Sequence, residues 1–200
     1  MFARLTLLVL WSLAARPQWV DPDRTEPAGA RYRTFHSKTL NAEVTYLVYL
    51  PPGYETSAAC YPVVYWLHGL GGNQRTGAAF VERLDAAVRQ HLAPAMIAVL
   101  VNGMRSSMYT DSADGKTPME AVIVRDLVPH IDAAYRTIAD REARAIEGFS
   151  MGGFGAARLG FKYPEVFGLV SILAGALHTA DTLAERRAEI FRNVYSGKKD

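Results

Sequence analysis

Residues 148–152 read Gly148-Phe149-Ser150-Met151-Gly152, and they stand where a short apolar run ends and a helical pattern begins. A sharp turn from strand to helix strains the backbone of its central residue. It also brings the residues two before and two after that centre together, so only glycine fits at those two positions. The same turn lifts the Ser150 hydroxyl clear of the sheet, which makes Ser150 the candidate nucleophile of this chain.

A second glycine-rich segment, His68-Gly69-Leu70-Gly71-Gly72, directly follows the apolar run Val63–Leu67. Acyl transfer needs two N–H donors directed at a tetrahedral oxygen. One comes from the residue after the nucleophile, here Met151, and the other from a glycine-rich loop after an earlier strand. Taken alone, either segment could be an ordinary tight turn. Taken together, they predict an oxyanion hole.

The rest of the chain alternates short buried runs with helical patterns. The runs predict strands at Val63–Leu67, Met96–Val101, Arg144–Phe149 and Leu169–Leu173, and the helical patterns begin near Phe80, Met119, Met151 and Thr182. Before them, Tyr32–Thr39 and Glu43–Leu50 favour an antiparallel hairpin at a sheet edge. This alternation predicts an α/β fold with a mostly parallel sheet and helices on both faces.

The helix that begins near Met119 carries two further local patterns. Thr117 and Glu120 have the spacing of a capping box, in which the threonine caps the helix and the glutamate bonds back to it. Asp126 and His130 are four residues apart, so we expect them to pair on the helix surface rather than to act in catalysis.

The composition is that of an ordinary globular domain. Of the 200 residues 50% are hydrophobic and 21% are charged, and the formal net charge of +2 is spread along the chain. These values exclude a disordered or fibrous class. Because there is no basic block to bind phosphates, we expect no nucleic-acid partner.

The first residues have the pattern of a targeting segment. Arg4 precedes a short apolar run, and the small residues Ser12 and Ala14 fit a cleavage site, so residues 1–14 predict a signal peptide. The run is too short for a membrane span, which takes about 20 residues. We therefore expect a secreted or periplasmic protein with no membrane span. Residues 15–30, rich in proline and charge, predict a linker.

Three stretches together resemble a known family, the putative esterases. They are YPVVYWLHGLGGN at residues 61–73, DLVPHIDAAY at residues 126–135 and GFSMGGFG at residues 148–155. The family includes esterase D, feruloyl and acetyl-xylan esterases, and the antigen 85 mycolyltransferases. The resemblance implies an α/β-hydrolase domain over residues 31–200.

The same resemblance implies a carboxylic-ester hydrolase that works through an acyl-enzyme on Ser150. The backbone N–H groups of Leu70 and Met151 would form its oxyanion hole, and we expect neither a cofactor nor a metal ion. His68 and His178 are candidate substrate-binding residues. The substrate would be a small-molecule ester or an ester linked to a carbohydrate.

Two features of the chain depart from the family pattern. Glu147 is a charged residue inside the strand before the turn, and we interpret it as paired or partly solvated. The family places its acid and its histidine on loops after two later strands, in the order serine, acid, histidine. Here only Glu165 and His178 follow in that order, and Glu165 should lie at the opposite edge of the sheet.

We therefore expect the catalytic acid and histidine beyond residue 200 and a sheet without its last strands. The chain on its own should then hydrolyse esters barely above background, with His178 as a less favoured base. Two other functions stay open. The same site could transfer its acyl group to a sugar hydroxyl, or the chain could be a non-catalytic binding protein that kept the turn and lost the triad.

Overall fold

The architecture is a six-stranded mixed sheet with helices packed on it, seen in a computed structural model that describes residues 18–197. The strand order is β1-β2-β4-β3-β5-β6. The strands are β1 (Arg31–Ser37), β2 (Ala42–Tyr49), β3 (Val63–Leu67), β4 (Ile97–Val101), β5 (Arg144–Phe149) and β6 (Leu169–Leu173). The predicted signal peptide, residues 1–14, lies outside the described residues.

The strand pairing confirms the predicted α/β fold. β3 pairs in parallel with β4 and β5, and β5 pairs in parallel with β6. β1 and β2 form the predicted antiparallel hairpin, and β2 also pairs antiparallel with β4. Every residue of β3 and β4 is buried, as expected for strands covered on both faces.

The helices begin close to the predicted positions. They are α1 (Ala78–Arg89), α2 (Met119–Ala121), α3 (Val128–Ala134), α4 (Met151–Lys162), α5 (Ala180–Arg186) and α6 (Ala188–Tyr195). Alternate residues of β3 belong to two separate cores. Tyr65 packs with α3 and α4, whereas Val64 packs with α1. Helices therefore cover both faces of the sheet.

The segment that joins α2 to α3 is π-helical, Val122–Leu127. The Val128 N–H donates to the Ile123 carbonyl, five residues back. Pro129 follows at once and has no N–H to donate, and its ring crowds the preceding turn. The widened turn lets the chain continue as one helix through this proline.

The capping-box prediction for this helix is wrong. Pro118 occupies the N-cap position without a side-chain cap bond, and Glu120 is buried. Its carboxylate accepts hydrogen bonds from Arg158 Nε at 2.9 Å, from the Tyr163 hydroxyl at 2.6 Å and from Lys162 Nζ. Burial opposes ionisation of Glu120, but these three donors outweigh it and hold its pKa below the usual value. Glu120 thus joins α2 to α4.

The expected pairing of Asp126 with His130 is also wrong, because each side chain bonds to the hairpin. Asp126 accepts from the Ser37 hydroxyl at 2.5 Å and from the Thr39 N–H at 2.9 Å. His130 bonds the Tyr46 hydroxyl at 3.0 Å through Nε2 and stacks on the ring of Phe35. These contacts fix the helical segment against β1 and β2.

The described part of the predicted linker, residues 18–30, lies against the domain. Asp21 forms an ion pair with Arg75 at 2.6 Å, and the Trp19 carbonyl accepts from the Thr45 N–H and from Asn102 Nδ2.

The far side of the sheet ends at β6, which exposes Leu169 by 57% and Leu173 by 46%. Among residues 18–197, no helix has the length and hydropathy that crossing a membrane requires.

Candidate active site

Ser150 is the single residue between β5 and α4, and its backbone is strained. Its φ is 56° and its ψ is −113°, a conformation that costs a residue with a side chain about 1–3 kcal/mol. Three backbone hydrogen bonds hold it there. The Ser150 N–H donates to the Leu173 carbonyl at 2.9 Å, and the Ser150 carbonyl accepts from Ala176 at 2.9 Å and from Phe154 at 3.0 Å. The neighbouring strand and helix thus enforce the turn.

The two outer glycines of the turn have no room for a side chain. A Cβ on Gly148 would lie 2.1 Å from the Gly152 carbonyl oxygen, and a Cβ on Gly152 would lie 1.9 Å from the Leu67 carbonyl oxygen. Both distances are shorter than any real carbon contact. The turn can therefore form against the end of β3 only because both positions are glycine, as the sequence indicated.

Residues 69–72, which we call the glycine loop, lie directly against this turn. A Cβ on Gly69 would lie 3.5 Å from both the Ser150 Cβ and the Phe149 carbonyl oxygen, an ordinary contact distance. Within residues 18–197, neither the Leu70 N–H nor the Met151 N–H donates to another protein group. The Met151 N–H is free because it opens a helix. One unused donor therefore follows Ser150 directly in the chain, and the other lies in the loop that contacts the turn.

His68 supports the glycine loop from inside the protein. Its side chain is fully buried, and Nε2 accepts a hydrogen bond from the Gly103 N–H at 3.2 Å. The ring proton must therefore sit on Nδ1, which donates to the Gly69 carbonyl at 2.8 Å. Burial lowers the pKa of His68 to about 4, although the bond to Gly69 acts to raise it. The ring is neutral at pH 7.

This geometry corrects the interpretation of His68 as a substrate-binding residue. Both ring nitrogens are already bonded to backbone groups, and no part of the ring reaches solvent. His68, next to the glycine loop, was predicted to bind substrate. It instead packs beneath the loop, because a neutral imidazole can satisfy one donor and one acceptor at once.

A segment that sequence reasoning missed, the 102–110 loop after β4, holds the other side of the glycine loop. The Arg105 carbonyl accepts from the Gly71 N–H at 2.7 Å, and the Tyr109 hydroxyl donates to the His68 carbonyl at 3.1 Å. Tyr109 is fully buried against Gly155 of α4, where a Cβ would lie 2.6 Å from its ring. A Cβ on Gly103 would lie even closer to this ring, at 2.3 Å, so Gly103 and Gly155 are both sequence signals for the close packing of Tyr109.

His178 lies at the same edge of the sheet as Ser150, in the exposed loop after β6. The backbone of this loop contacts the turn through Ala176, whose N–H donates to the Ser150 carbonyl. Within residues 18–197, no histidine or carboxylate hydrogen-bonds the Ser150 hydroxyl, and no cluster of side chains could hold a metal ion. His178 as a substrate-binding residue stays a prediction.

Two cavities open beside the glycine loop, and Leu70 lines both. The first, of about 560 Å³, lies between α1 and the ends of β5 and β6. Phe80 and Phe149 give it aromatic walls, and Arg83 and Glu147 are its charged residues. Glu147 is half-buried, in agreement with its interpretation as a partly solvated residue. The second cavity, of about 370 Å³, lies between the glycine loop and α6.

Comparison with known proteins shows which proteins this chain is similar to. A family model described as "Putative esterase" matches residues 37–194. An esterase of Mycobacterium tuberculosis is 33% identical over 161 residues, which are 78% of this chain and 34% of that protein. An endo-1,4-beta-xylanase/feruloyl esterase of Xylanibacter ruminicola is 29% identical over 177 residues, 84% of this chain and 24% of that protein.

Solved structures give the same result for the fold. The structure of a ferulic acid esterase superposes with a TM-score of 0.68 at 30% identity, covering 76% of this chain and 60% of that one. The chain thus spans about a third or less of these two curated relatives, and 60% of the solved structure.

Proposed function

The chain belongs to the putative-esterase family, and from this we propose that it is a serine carboxylic-ester hydrolase whose nucleophile is Ser150. One observation carries the proposal. Ser150 is held in a strained turn in contact with a glycine loop. The N–H groups of Met151 in the turn and of Leu70 in the loop have no partner among residues 18–197. Strain at a single polar residue, maintained by three backbone bonds, is typical of a functional site.

The proposed reaction has two steps. The Ser150 oxygen attacks the ester carbonyl carbon, and the N–H groups of Leu70 and Met151 bind the oxygen that becomes negative. The C–O bond then breaks, the alcohol leaves with a proton, and an acyl-enzyme remains on Ser150. Water attacks the acyl group in the second step and releases the acid. Loss of one such donor typically lowers kcat by about 10²–10³.

The rigidity of the two donors supports this role. Oxyanion stabilisation is effective when the donors are oriented before the reaction, since they then need no rearrangement. The Met151 N–H is fixed by α4. The Leu70 N–H is fixed by its neighbours, because His68 anchors Gly69 and the Arg105 carbonyl anchors Gly71. A general base must also remove the Ser150 proton. We assign this role to no histidine among residues 18–197.

Ester hydrolysis by the full-length protein tests the proposal. We expect release of p-nitrophenol from p-nitrophenyl acetate, abolished by Ser150→Ala and kept by Ser57→Ala, a serine on the loop between β2 and β3. Methyl ferulate belongs in the assay because two of the similar proteins are named as feruloyl or ferulic acid esterases. Equal rates for Ser150→Ala and the wild type would refute the proposal.

Export of the protein is a further part of the proposal, supported by the signal-peptide pattern of residues 1–14. Cleavage after Ala14 would give a mature chain that begins at Ala15. N-terminal sequencing of the protein purified from its native host tests this. A chain that keeps Met1 would contradict export by this segment.

A further inference from the structure

The second cavity has a composition that the ester-cleaving site does not require. Its 370 Å³ lie between Leu70 of the glycine loop and the junction of α5 and α6. Hydrogen-bond donors dominate its polar lining, namely Arg186, Arg187, Asn193 and Ser106. A space of this size accepts a sugar ring or a short acyl chain.

The charge of this lining is positive. Arg186 and Arg187 are exposed, and neither forms a salt bridge with any residue in the described range 18–197. Glu189 is the only acidic residue in the lining. The arginines of this chain that hold the fold together, such as Arg75 and Arg144, are instead paired with aspartates at 2.6 Å. The two cavity arginines are therefore available to an anion.

The position of the cavity connects it with the reaction. Leu70 lines the cavity, and its backbone N–H is a proposed oxyanion donor. A substrate whose carbonyl oxygen reaches that N–H would extend past the Leu70 side chain. One of its two substituents, the acyl chain or the alcohol, can then enter the cavity.

We propose that this cavity binds a carboxylate group of the ester substrate, so that the enzyme prefers anionic esters; the inference rests on the proposed function. A guanidinium presents a planar fork of N–H donors that matches the two oxygens of a carboxylate. Arg186 and Arg187 each provide such a fork. Asn193 and Ser106 add neutral donors for hydroxyl groups of the substrate. The carboxylate comes either from a dicarboxylic acyl group or from a uronic acid on the alcohol side.

Two matched pairs of substrates test the proposal and distinguish these sources. Comparing p-nitrophenyl hemisuccinate with p-nitrophenyl butyrate shows whether the enzyme prefers an anionic acyl group. Acetylated methyl glucuronoside against acetylated methyl glucoside reports on an anionic alcohol. The quantity measured is the ratio of kcat/KM for the charged ester to that for its neutral partner. A ratio within one variant cancels differences in the amount of folded protein.

We expect the double variant R186Q/R187Q to lower this ratio about tenfold for one of the two pairs of substrates. A tenfold change corresponds to the combined free energy of two exposed ion pairs. Arg192→Gln is the matched control, because Arg192 is an exposed arginine of α6 outside the cavity, and it should keep the ratio. Added salt should lower the wild-type ratio as it screens the charges. An unchanged ratio for both pairs in R186Q/R187Q would overturn the inference.

A binding measurement separates this inference from the proposed function. Succinate and methyl glucuronoside are titrated by NMR into Ser150→Ala, with and without R186Q/R187Q. Binding that requires the two arginines supports the cavity even if the protein hydrolyses no ester. Binding that is equal in both backgrounds overturns the cavity proposal and leaves the esterase proposal untouched.

Discussion

Acidification should destabilise the protein through His68 before most of its carboxylates titrate. The pKa of this ring is about 4 in the folded protein, against an ordinary value of 6.5, because burial disfavours the charged form. Between pH 6.5 and pH 4, His68 therefore binds a proton in the unfolded chain but stays neutral in the folded protein. The stabilising effect of the neutral ring is complete above pH 6.5 and is lost as the pH falls towards 4.

The magnitude follows from the same two values. Each unit of pKa shift corresponds to about 1.4 kcal/mol, so His68 should account for a loss of about 2 kcal/mol between pH 7 and pH 5. The loss by pH 4 should be about 3 kcal/mol. A protonated ring would also lose the acceptor that Nε2 offers to the Gly103 N–H, so the glycine loop should loosen as the ring titrates.

Urea unfolding of the wild type and His68→Gln at pH 7 and pH 5 isolates this effect. Other groups titrate equally in both proteins, so only the difference between the two free energies of unfolding matters. His68→Gln should be the less stable protein at pH 7, and the gap should shrink by about 2 kcal/mol at pH 5. A gap that is the same at both pH values would show that His68 is not a buried neutral ring.

Four substitutions test other parts of the structure. Ser150→Gly relieves the strain of a side chain at φ 56°, so urea unfolding should show it about 1–3 kcal/mol more stable than Ser150→Ala. Gly152→Ala places a methyl group 1.9 Å from a β3 carbonyl oxygen. The variant should therefore not fold, which circular dichroism would show as a loss of secondary structure. Gly53→Ala, with open space and a φ of 81°, should cost only about 1–2 kcal/mol. Glu120→Gln should lower the free energy of unfolding by about 2 kcal/mol at pH 7, and this difference should fade below pH 4.5.

The features that local sterics determine could be predicted from the sequence. Gly148 and Gly152 are required by the turn itself, and the turn determines where Ser150 lies. The strands β3 and β4 were predicted for a similar reason, since their continuous apolar runs must be buried. Such constraints act within a few residues, so the pattern that reveals them is short.

The features that long-range contacts determine could not be predicted. His68 bonds to Gly103, 35 residues later, and no spacing in the sequence connects them. Glu120 has the local pattern of a capping residue, but donors on α4 and at Tyr163 directly after it, 38 to 43 residues away, compete for its carboxylate. A buried carboxylate with three donors is more stable than an exposed cap with one. The local pattern was therefore a poor guide.

Covalent trapping tests the assignment of Ser150 as the nucleophile of an ester hydrolase. The full-length protein is mixed with p-nitrophenyl acetate, quenched in acid at short times and digested for peptide mass spectrometry. We expect an acetyl group on the peptide that contains Ser150, formed and lost at the rate of turnover and absent in Ser150→Ala. Turnover with the acetyl group on another residue, or with none on Ser150 at any time, would contradict it.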